Sequence, residues 1–484
     1  MNISKKEVIG GVFWKFSERI LSQLVSLIIS IVLARLLAPS EYGVISLVMV
    51  FITIANVFVT SGFGASLIQK KDADTLDFST VLYFGLAFSI VIYIVLFFAA
   101  IPIAEFYEMP ILRPVLRVLM LSVPIMSINS VQQAYVSREM IFKKFFWSTL
   151  GATLASAVVG IIMAYNGFGV WALVAQNLSS LIVGTIILQI SIDWRPTLEF
   201  SFARLKSLFE YGWKLLVQGL VLQLYSSLRS LVIGKIYTAS DLAYYTKGNQ
   251  FPDLITTNID TAINTALFPA MAKEQGSIDR VKMMARRTNQ VSSYVMCPVL
   301  MGFIAIAEPF ISLLLTDKWL PAVPYLRISC IILLFRPAQT AILQAVKAIG
   351  RSDVVLKIDF PVRIFALVVL MISVRFGVLY FAMSEILITV VGTILYAYEA
   401  EKIIGYSPKE LMIDFMGNVI LAAIMGLLTW YIGMLIVLPS LVKIIVQIMV
   451  GVVSYVFLSI ITKSESYEYV LNTVKEVGRS LKRG

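Results

Sequence analysis

The sequence predicts an all-α integral membrane protein with about fourteen transmembrane helices: two six-helix lobes, formed by a parallel internal repeat, plus two C-terminal helices. The first observation is composition, since the 484 residues are 59% hydrophobic and only 14% charged, with a mean hydropathy of +0.86. Soluble chains average about 45–50% apolar and about 25% charged residues, so a soluble protein of this length is excluded. The other two observations are repeated apolar stretches and a sequence repeat.

The apolar stretches recur along the whole chain, and many reach the ~20 residues that a helix needs to cross a bilayer. We predict fourteen spans at approximately 12–37, 44–66, 81–103, 112–137, 145–165, 169–190, 209–236, 243–267, 291–315, 324–346, 354–374, 377–399, 411–435 and 441–461.

The first span carries a polar face. At about 100° per residue, Lys15, Glu18 and Arg19 fall on one side of the helix, together with Ser22 and further polar residues up to Ser30. Lipid cannot satisfy polar groups, so this face is expected to meet other helices or water.

The same design returns in the seventh span, where Trp14-Lys15 is matched by Trp213-Lys214 and where Lys214 and Arg229 share a helical face. A parallel repeat in a transporter usually frames a central site near mid-membrane. The two predicted six-helix lobes are 1–191 and 207–402, joined by a cytoplasmic linker at 192–206. Two additional spans follow at 403–464, and a basic amphipathic tail at 465–484.

Loop charges predict the orientation. Most Lys and Arg outside the spans, among them Lys70, Lys143 and Arg286, fall on one side, which is the cytoplasmic side by the positive-inside rule. Both termini and a basic loop at 270–290 are therefore expected in the cytoplasm. The formal charge of +11 is explained by such loops, so no nucleic-acid partner is predicted.

Composition also limits the chemistry. The chain has no His, which is the commonest general base and metal ligand, and its two cysteines, Cys297 and Cys330, lie in separate apolar runs. We predict no catalytic residues, no metal site and no bound cofactor.

Several local strings resemble one family of membrane proteins. They are ARLLAP at 34–39 followed by EYG at 41–43, GFGASLIQ at 62–69, GFGVWAL at 167–173, LFPAMAK at 267–273, and KW at 318–319 followed by Pro324. Together, and in this order, they resemble the polysaccharide-exporter branch of the multidrug/oligosaccharidyl-lipid/polysaccharide flippase superfamily, especially exporters of colanic-acid and teichuronic-acid type.

The resemblance implies a protein of the bacterial plasma membrane that moves an undecaprenyl-diphosphate-linked oligosaccharide from the cytoplasmic to the outer leaflet. Implied partners are this lipid-linked oligosaccharide, membrane lipids, and the polymerase and glycosyltransferases of the same pathway.

Five cations inside or near spans are the candidate substrate residues, inferred from charge: Lys15, Arg19, Lys214, Arg229 and Arg336. Guanidinium groups match a diphosphate bidentately, so a cationic cavity would hold the diphosphate and acidic sugars. Lys15, Lys214 and Arg19 have an alternative interpretation, since each can extend to the membrane surface.

Oxygen-rich faces on the eighth and twelfth spans suggest ion coupling, with Asp260 and Glu385 as candidates for H⁺ or Na⁺. They could equally bind neighbouring helices or the sugar chain. The four-residue spacing of Asp359 and Arg363 on the eleventh span predicts a structural ion pair.

Two other functions compete with export of a lipid-linked oligosaccharide. One is a cation-coupled multidrug exporter of the same fold, which a cavity rich in Arg and Lys disfavours. The other is a membrane polysaccharide polymerase or ligase, which needs acid/base groups in a large outer loop.

Overall fold

The structure, a computed structural model, describes residues 5–60, 63–70, 72–436 and 438–481. The described residues form α-helices and two short 3₁₀-helices, Asp317–Ala322 and Val374–Phe376, and contain no β-strand. The predicted all-α class is confirmed.

The first half of the chain contains nine helices in the described residues: α1 Lys5–Leu36, α2 Pro39–Thr60, α3 Phe63–Gln69, α4 Thr75–Phe106, α5 Leu112–Leu119, α6 Ser122–Glu139, α7 Phe142–Tyr165, α8 Val170–Ser191 and α9 Phe202–Ile236. The second half continues with α10 Ala239–Lys273, α11 Ile278–Leu315, α12 Val323–Leu333, α13 Arg336–Ala348, α14 Ser352–Ser373, α15 Val378–Ile404, α16 Pro408–Leu435, α17 Ser440–Ile461 and α18 Glu465–Leu481.

Twelve stretches within the described helices are long and apolar enough to cross a membrane, so the chain is a multi-pass membrane protein. Two other predicted spans, 243–267 and 354–374, are helical as α10 and α14 but are not among these twelve stretches. Both carry several charged residues, including Asp253 and Asp260 on α10. The count of fourteen membrane crossings stays a prediction.

Two spans predicted as continuous helices are each broken in two. The stretch 112–137 divides into α5 and α6, and the stretch 324–346 divides into α12 and α13. A proline removes one helix hydrogen bond and clashes with the carbonyl four residues earlier. Pro124 therefore disrupts the helix at Met120, and Pro337 disrupts it at Leu333, where α5 and α12 end. The two breaks lie in spans that the sequence repeat pairs.

The prediction of a basic loop at 270–290 is wrong. Helix α10 continues to Lys273 and α11 begins at Ile278, so only residues 274–277 connect them. At 1.5 Å per residue the 38 residues of α11 extend about 57 Å, well beyond a ~30 Å hydrocarbon core. Its basic first turns therefore project from the membrane as helix.

The contacts divide the chain into two compact units, one ending at Ala243 and one beginning at Tyr244. In the first unit, apolar residues including Leu67, Phe78 and Leu188 form a buried core. In the second, a core contains Val281, Ala345 and further residues of α10, α11, α13, α14, α15 and α16, among them Met271, Ile342, Ile404 and Leu411.

Helix α9 belongs to the first unit because its start is fixed there by charge. Arg204 Nη1 lies 2.7 Å from Asp74 Oδ1 and 3.1 Å from Asp77 Oδ2, and Lys70 Nζ also contacts Asp77 at 2.6 Å. The Asp77 backbone N–H and the Arg204 guanidinium lower the pKa of Asp74 below its usual value. The predicted lobes, 1–191 and 207–402, assign α9 differently and stay a prediction.

The tail is helical, as predicted, over Glu465–Leu481; the last three residues lie outside the described part. It packs on α11, with the Tyr467 and Tyr294 ring centroids 6.4 Å apart and the Arg287 guanidinium 5.6 Å from the Tyr469 ring. These contacts hold the first turns of the tail against α11.

Candidate functional site

Lys15 lies at the shallow end of the candidate site. Its side chain is exposed, and it precedes the apolar stretch of α1, which begins at Ser17. Its Nζ lies 5.3 Å from the centre of the Phe142 ring on α7. The position outside the apolar stretch supports the interpretation that Lys15 reaches the membrane surface.

The polar face of α1 contacts α7 one turn further along. Glu18 is half-buried, hydrogen-bonds with Thr149 and Ser22, and interacts electrostatically with Lys15 and Arg19. Arg19 is likewise half-buried, inside the apolar stretch. The expectation that this face meets other helices holds at Glu18.

Helix α9 carries the two other predicted site residues of the first unit. Lys214 is exposed and lies near the start of the apolar stretch Gly212–Ile236, whereas Arg229 is half-buried. The 15 residues between them correspond to about 22 Å along the helix axis. Arg229 therefore lies much deeper in the span than Lys214.

Arg229 does not share the side of α9 that packs on α2. On that side Gln223 Nε2 donates to Thr53 Oγ1 at 3.2 Å and to Ser227 Oγ at 2.9 Å. At about 100° per residue, Arg229 is rotated ~200° from Ser227 and ~120° from Gln223. Arg229 therefore occupies a different angular position on α9 from the Gln223 contact with α2.

In the second unit, Arg336 and Asp260 form an ion pair. Arg336 Nε lies 3.2 Å from Asp260 Oδ2, and Thr340 Oγ1 donates to Asp260 Oδ1 at 2.7 Å. The Asp260 side chain is 11% exposed and that of Arg336 is 46% exposed. The aspartate is therefore buried between two helices, while the guanidinium has access to one open side.

Two further carboxylates belong to this cluster. Asp253, seven residues before Asp260 on α10, interacts electrostatically with Arg336 and with Glu385 on α15. The structure thus brings together three of the predicted residues, Asp260, Arg336 and Glu385, and adds Asp253 and Thr340. The arrangement sets three carboxylates against one guanidinium, a pattern that attracts a cation or a proton more than a second anion.

The predicted ion pair on α14 is confirmed. Arg363 Nη2 lies 3.5 Å from Asp359 Oδ2, and Tyr396 OH on α15 donates to Asp359 Oδ1 at 2.5 Å. Tyr396 and Glu399 share the oxygen-rich face of α15 with Glu385, but Glu399 pairs with Lys402 at 2.5 Å. Tyr396 therefore joins α15 to α14, and Glu399 is paired within α15 itself.

A second buried network was not expected from the sequence. Arg286 donates two hydrogen bonds to Asp414, at 2.8 and 2.9 Å, and Tyr406 OH donates to the same carboxylate at 2.9 Å. Burial first of all raises the pKa of Tyr406, which lies between spans. The network ties α11 to α16, and Arg286 had been assigned to a loop.

Sequence reasoning also missed an uncharged polar cavity in the first unit. It has a volume of 490 Å³ and lies among α2, α3, α6 and α8. Its amide and hydroxyl groups include those of Asn129, Gln133 and Ser137, spaced four residues apart on α6. This four-residue spacing is the sequence signal from which the cavity could have been predicted.

Among the described residues, no group of three or more Cys, Asp or Glu could hold a metal ion.

Comparison with known proteins places this geometry in a family. The profile of the family described as "Polysaccharide biosynthesis protein" matches residues 32–324. The Lipopolysaccharide biosynthesis protein WzxC of Escherichia coli (strain K12) is 22% identical over 85% of this chain and 84% of its own length. The Teichuronic acid biosynthesis protein TuaB of Bacillus subtilis (strain 168) is 21% identical over 88% and 89%. The Succinoglycan biosynthesis transport protein ExoT of Rhizobium meliloti (strain 1021) is 25% identical over 61% and 60%.

Solved structures show the same fold. The lipid II flippase MurJ, in an inward closed conformation, aligns with a TM-score of 0.73 and 14% identity, over 93% of this chain and 99% of its own. An inward-facing transporter of the multidrug resistance MATE family aligns with a TM-score of 0.62 and 16% identity, over 79% and 94%. The resemblance to the polysaccharide-exporter branch is confirmed by these matches.

Proposed function

This chain belongs to the polysaccharide biosynthesis protein family, and from that premise we propose that it is a flippase for a lipid-linked oligosaccharide. It moves an undecaprenyl-diphosphate-linked repeat unit from the cytoplasmic to the outer leaflet for synthesis of a surface polysaccharide. The relatives that match most of its length are named for the biosynthesis of such polymers, and one is named a transport protein.

The observation that carries the proposal is Arg229. It lies deep within an apolar span, half-buried, at a different angular position on α9 from the Gln223 contact with α2. Placing a charge at membrane depth is costly, so such residues usually mark a substrate or ion path. A guanidinium there suits the diphosphate, which must cross the apolar core with its negative charge.

The other candidate cations lie at different depths, and we assign them different roles. Arg19 lies one turn inside the span of α1 and extends the cationic path, while Lys15 and Lys214 lie near the membrane surface and attract the anionic lipid. Arg336, which pairs with Asp260 through one side, stays a predicted substrate residue. The predicted repeat, 1–191 and 207–402, supplies two similar parts for alternating access.

Coupling is assigned to the second unit. Asp253, Asp260 and Glu385 gather near Arg336, and a carboxylate cluster of this kind would take up a proton that exchanges with the substrate's charge. The same cluster is the observation that favours the second candidate function, a cation-coupled multidrug exporter, whose substrates are often cationic.

Reconstituted vesicles distinguish the two candidates. The full chain is inserted into liposomes containing undecaprenyl diphosphate linked to an oligosaccharide, and the oligosaccharide exposed outside is measured with a membrane-impermeant oxidant. Parallel vesicles contain a cationic dye, ethidium. We expect transfer of the oligosaccharide above protein-free vesicles and no efflux of the dye. Dye efflux without oligosaccharide transfer would establish the multidrug alternative and overturn the proposal.

The orientation is proposed with both termini and the turn at 274–277 in the cytoplasm. Gly276 has open space around its Cα, so a cysteine is tolerated there, and the two native cysteines are buried. In intact cells Gly276→Cys should resist a membrane-impermeant thiol reagent and react once the cells are lysed. Reaction in intact cells would invert the proposed topology.

A further inference from the structure

The uncharged cavity of the first unit is the strongest unexplained feature of the molecule. Its described polar lining comes from Asn56 and Thr60 on α2 and from Asn129, Ser130, Gln133 and Ser137 on α6. All of these residues lie within membrane spans. Lipid cannot satisfy amides and hydroxyls, so a concentration of them around one cavity indicates a polar occupant.

The chemistry of the lining selects the kind of occupant. The described residues around the cavity include no charged side chain, whereas a cation site would be expected to include carboxylates. Amides and hydroxyls both donate and accept hydrogen bonds, as do the hydroxyls of a sugar. Apolar neighbours, Ile68, Met126 and Leu181, complete the wall and suit the C–H faces of a sugar ring.

Some polar groups in the wall of this cavity can still form hydrogen bonds with a ligand. Asn56 Oδ1 is buried and accepts no hydrogen bond from the described residues. Gln133 uses one N–H toward Asn129 Oδ1, and Asn129 donates to Thr185 Oγ1 at 3.2 Å. This leaves the Gln133 carbonyl oxygen and its second N–H for a ligand, with Asn129 holding the Gln133 side chain in place.

The neighbouring glutamine shows what a purely structural role looks like on the same helix. Gln132, about 100° further round α6, is fully buried, and its Nε2 donates to Gln189 Oε1 at 2.5 Å. Gln133, by contrast, is exposed and borders the cavity. Helix packing therefore explains Gln132 but not Gln133.

From these observations we propose that the cavity lined by Asn56, Asn129, Ser130 and Gln133 binds a neutral sugar residue of the transported glycan. The inference rests on the proposed flippase function and adds a glycan subsite to it. The volume of 490 Å³ falls within the ~300–1,000 Å³ typical of small-ligand sites. Arg138 donates to the Leu67 carbonyl at 3.0 Å at the end of α3, next to the cavity, on the side that loop charges place in the cytoplasm.

Binding of two lipids to the purified full chain in nanodiscs tests the proposal. One is undecaprenyl diphosphate without sugar, and the other carries a neutral galactosyl-glucose disaccharide. We expect the native chain to bind the glycosylated lipid more tightly. Gln133→Ala should lower that affinity about 2–10-fold, and Asn129→Ala with Gln133→Ala by at least about 10-fold, with sugar-free binding unchanged.

A second variant tests the cavity without removing its amides, and a control variant removes an amide elsewhere in the protein. Ser130→Phe keeps both amides but fills the cavity, so it should remove the preference for the glycosylated lipid. Asn177→Ala removes an amide of α8 that donates to the carbonyl of Leu173 in its own helix, at 2.8 Å, and should change neither affinity.

The outcomes separate this inference from the function on which it rests. Equal affinity of the native chain for both lipids, or equal weakening of both by the cavity variants, would overturn the glycan subsite and leave the flippase proposal standing. Binding of neither lipid by the native chain would count against the flippase proposal itself.

Discussion

The two units carry intramembrane charge in opposite ways. In the first, the predicted site residues are all cations, and the carboxylate beside them, Glu18, is engaged with α7 through Thr149. In the second, the predicted cation Arg336 lies among three carboxylates and pairs with the buried Asp260. The first arrangement suits an anionic lipid diphosphate, and the second suits an exchangeable cation or proton.

The difference shows that the role of an intramembrane charge depends both on its depth in the membrane and on the sign of the charges around it. Arg229 and Arg336 both lie far from span ends in the sequence, so sequence depth treats them alike. The structure adds that Arg336 forms an ion pair with Asp260 on another helix, within a group of three carboxylates. Four experiments test whether the comparison holds, from the largest expected effect to the smallest.

The largest effect is expected at Arg229. Losing one charge-assisted contact costs roughly 1.5–3 kcal/mol, which is about 10–100-fold in binding. Arg229→Ala should therefore nearly abolish export, and Arg229→Lys should restore it partly, because lysine keeps the charge but not the bidentate geometry. The measurement is surface polysaccharide per unit of membrane-inserted protein.

Arg363→Ala is the matched control for Arg229→Ala. It removes a guanidinium that pairs with Asp359 on its own helix, so it should lower protein abundance while leaving export per inserted protein near normal. Normal export by Arg229→Ala would remove the principal residue of the cationic path and end the comparison.

The next effect is expected in coupling. A unit charge crossing a 100 mV potential is worth about 2.3 kcal/mol, or about 50-fold in a gradient. If the carboxylate cluster carries the coupling charge, Glu385→Gln should make oligosaccharide transfer in vesicles nearly insensitive to an imposed proton or sodium gradient. Glu399→Gln, whose native residue pairs with Lys402, should keep the gradient dependence of the native chain. The same response in both variants would argue against coupling through Glu385.

A smaller effect, on stability, is expected for the Asp260–Arg336 pair. Arg336→Ala leaves the buried Asp260 carboxylate hydrogen-bonded to Thr340 but without its ion-pair partner, which costs about 1–3 kcal/mol. Asp260→Ala should cost less, because the half-exposed guanidinium can reach water. Thermal unfolding of the detergent-purified variants measures this. The double variant should be less destabilised than the sum of the two singles, and simple additivity would contradict a direct pair.

The sequence predicted the helical membrane fold and the local ion pair, because both depend on short-range patterns. Apolar stretches and the spacing of Asp359 and Arg363 are visible along the chain. The Asp260–Arg336 pair and the Asp414 network join helices far apart in sequence, so no local pattern announces them. The helix breaks near Met120 and Leu333 were missed although prolines mark them, since apolarity alone makes these stretches look continuous.

The smallest effect is expected at Lys15, and it tests whether depth matters as much as charge. Lys15 is exposed, precedes the apolar stretch and lies 5.3 Å from the Phe142 ring, a contact worth about 0.5–1 kcal/mol at exposed sites. Lys15→Ala should reduce export per inserted protein by no more than a few-fold, and Phe142→Leu, which removes the ring but keeps the cation, should have a similar or smaller effect. Raising the salt concentration should diminish the difference between Lys15→Ala and the native chain, because exposed charges are screened. A loss as severe as that of Arg229→Ala would mean that the membrane-surface cation is as important as the deep one, and the graded cationic path would have to be replaced by a single site that includes Lys15.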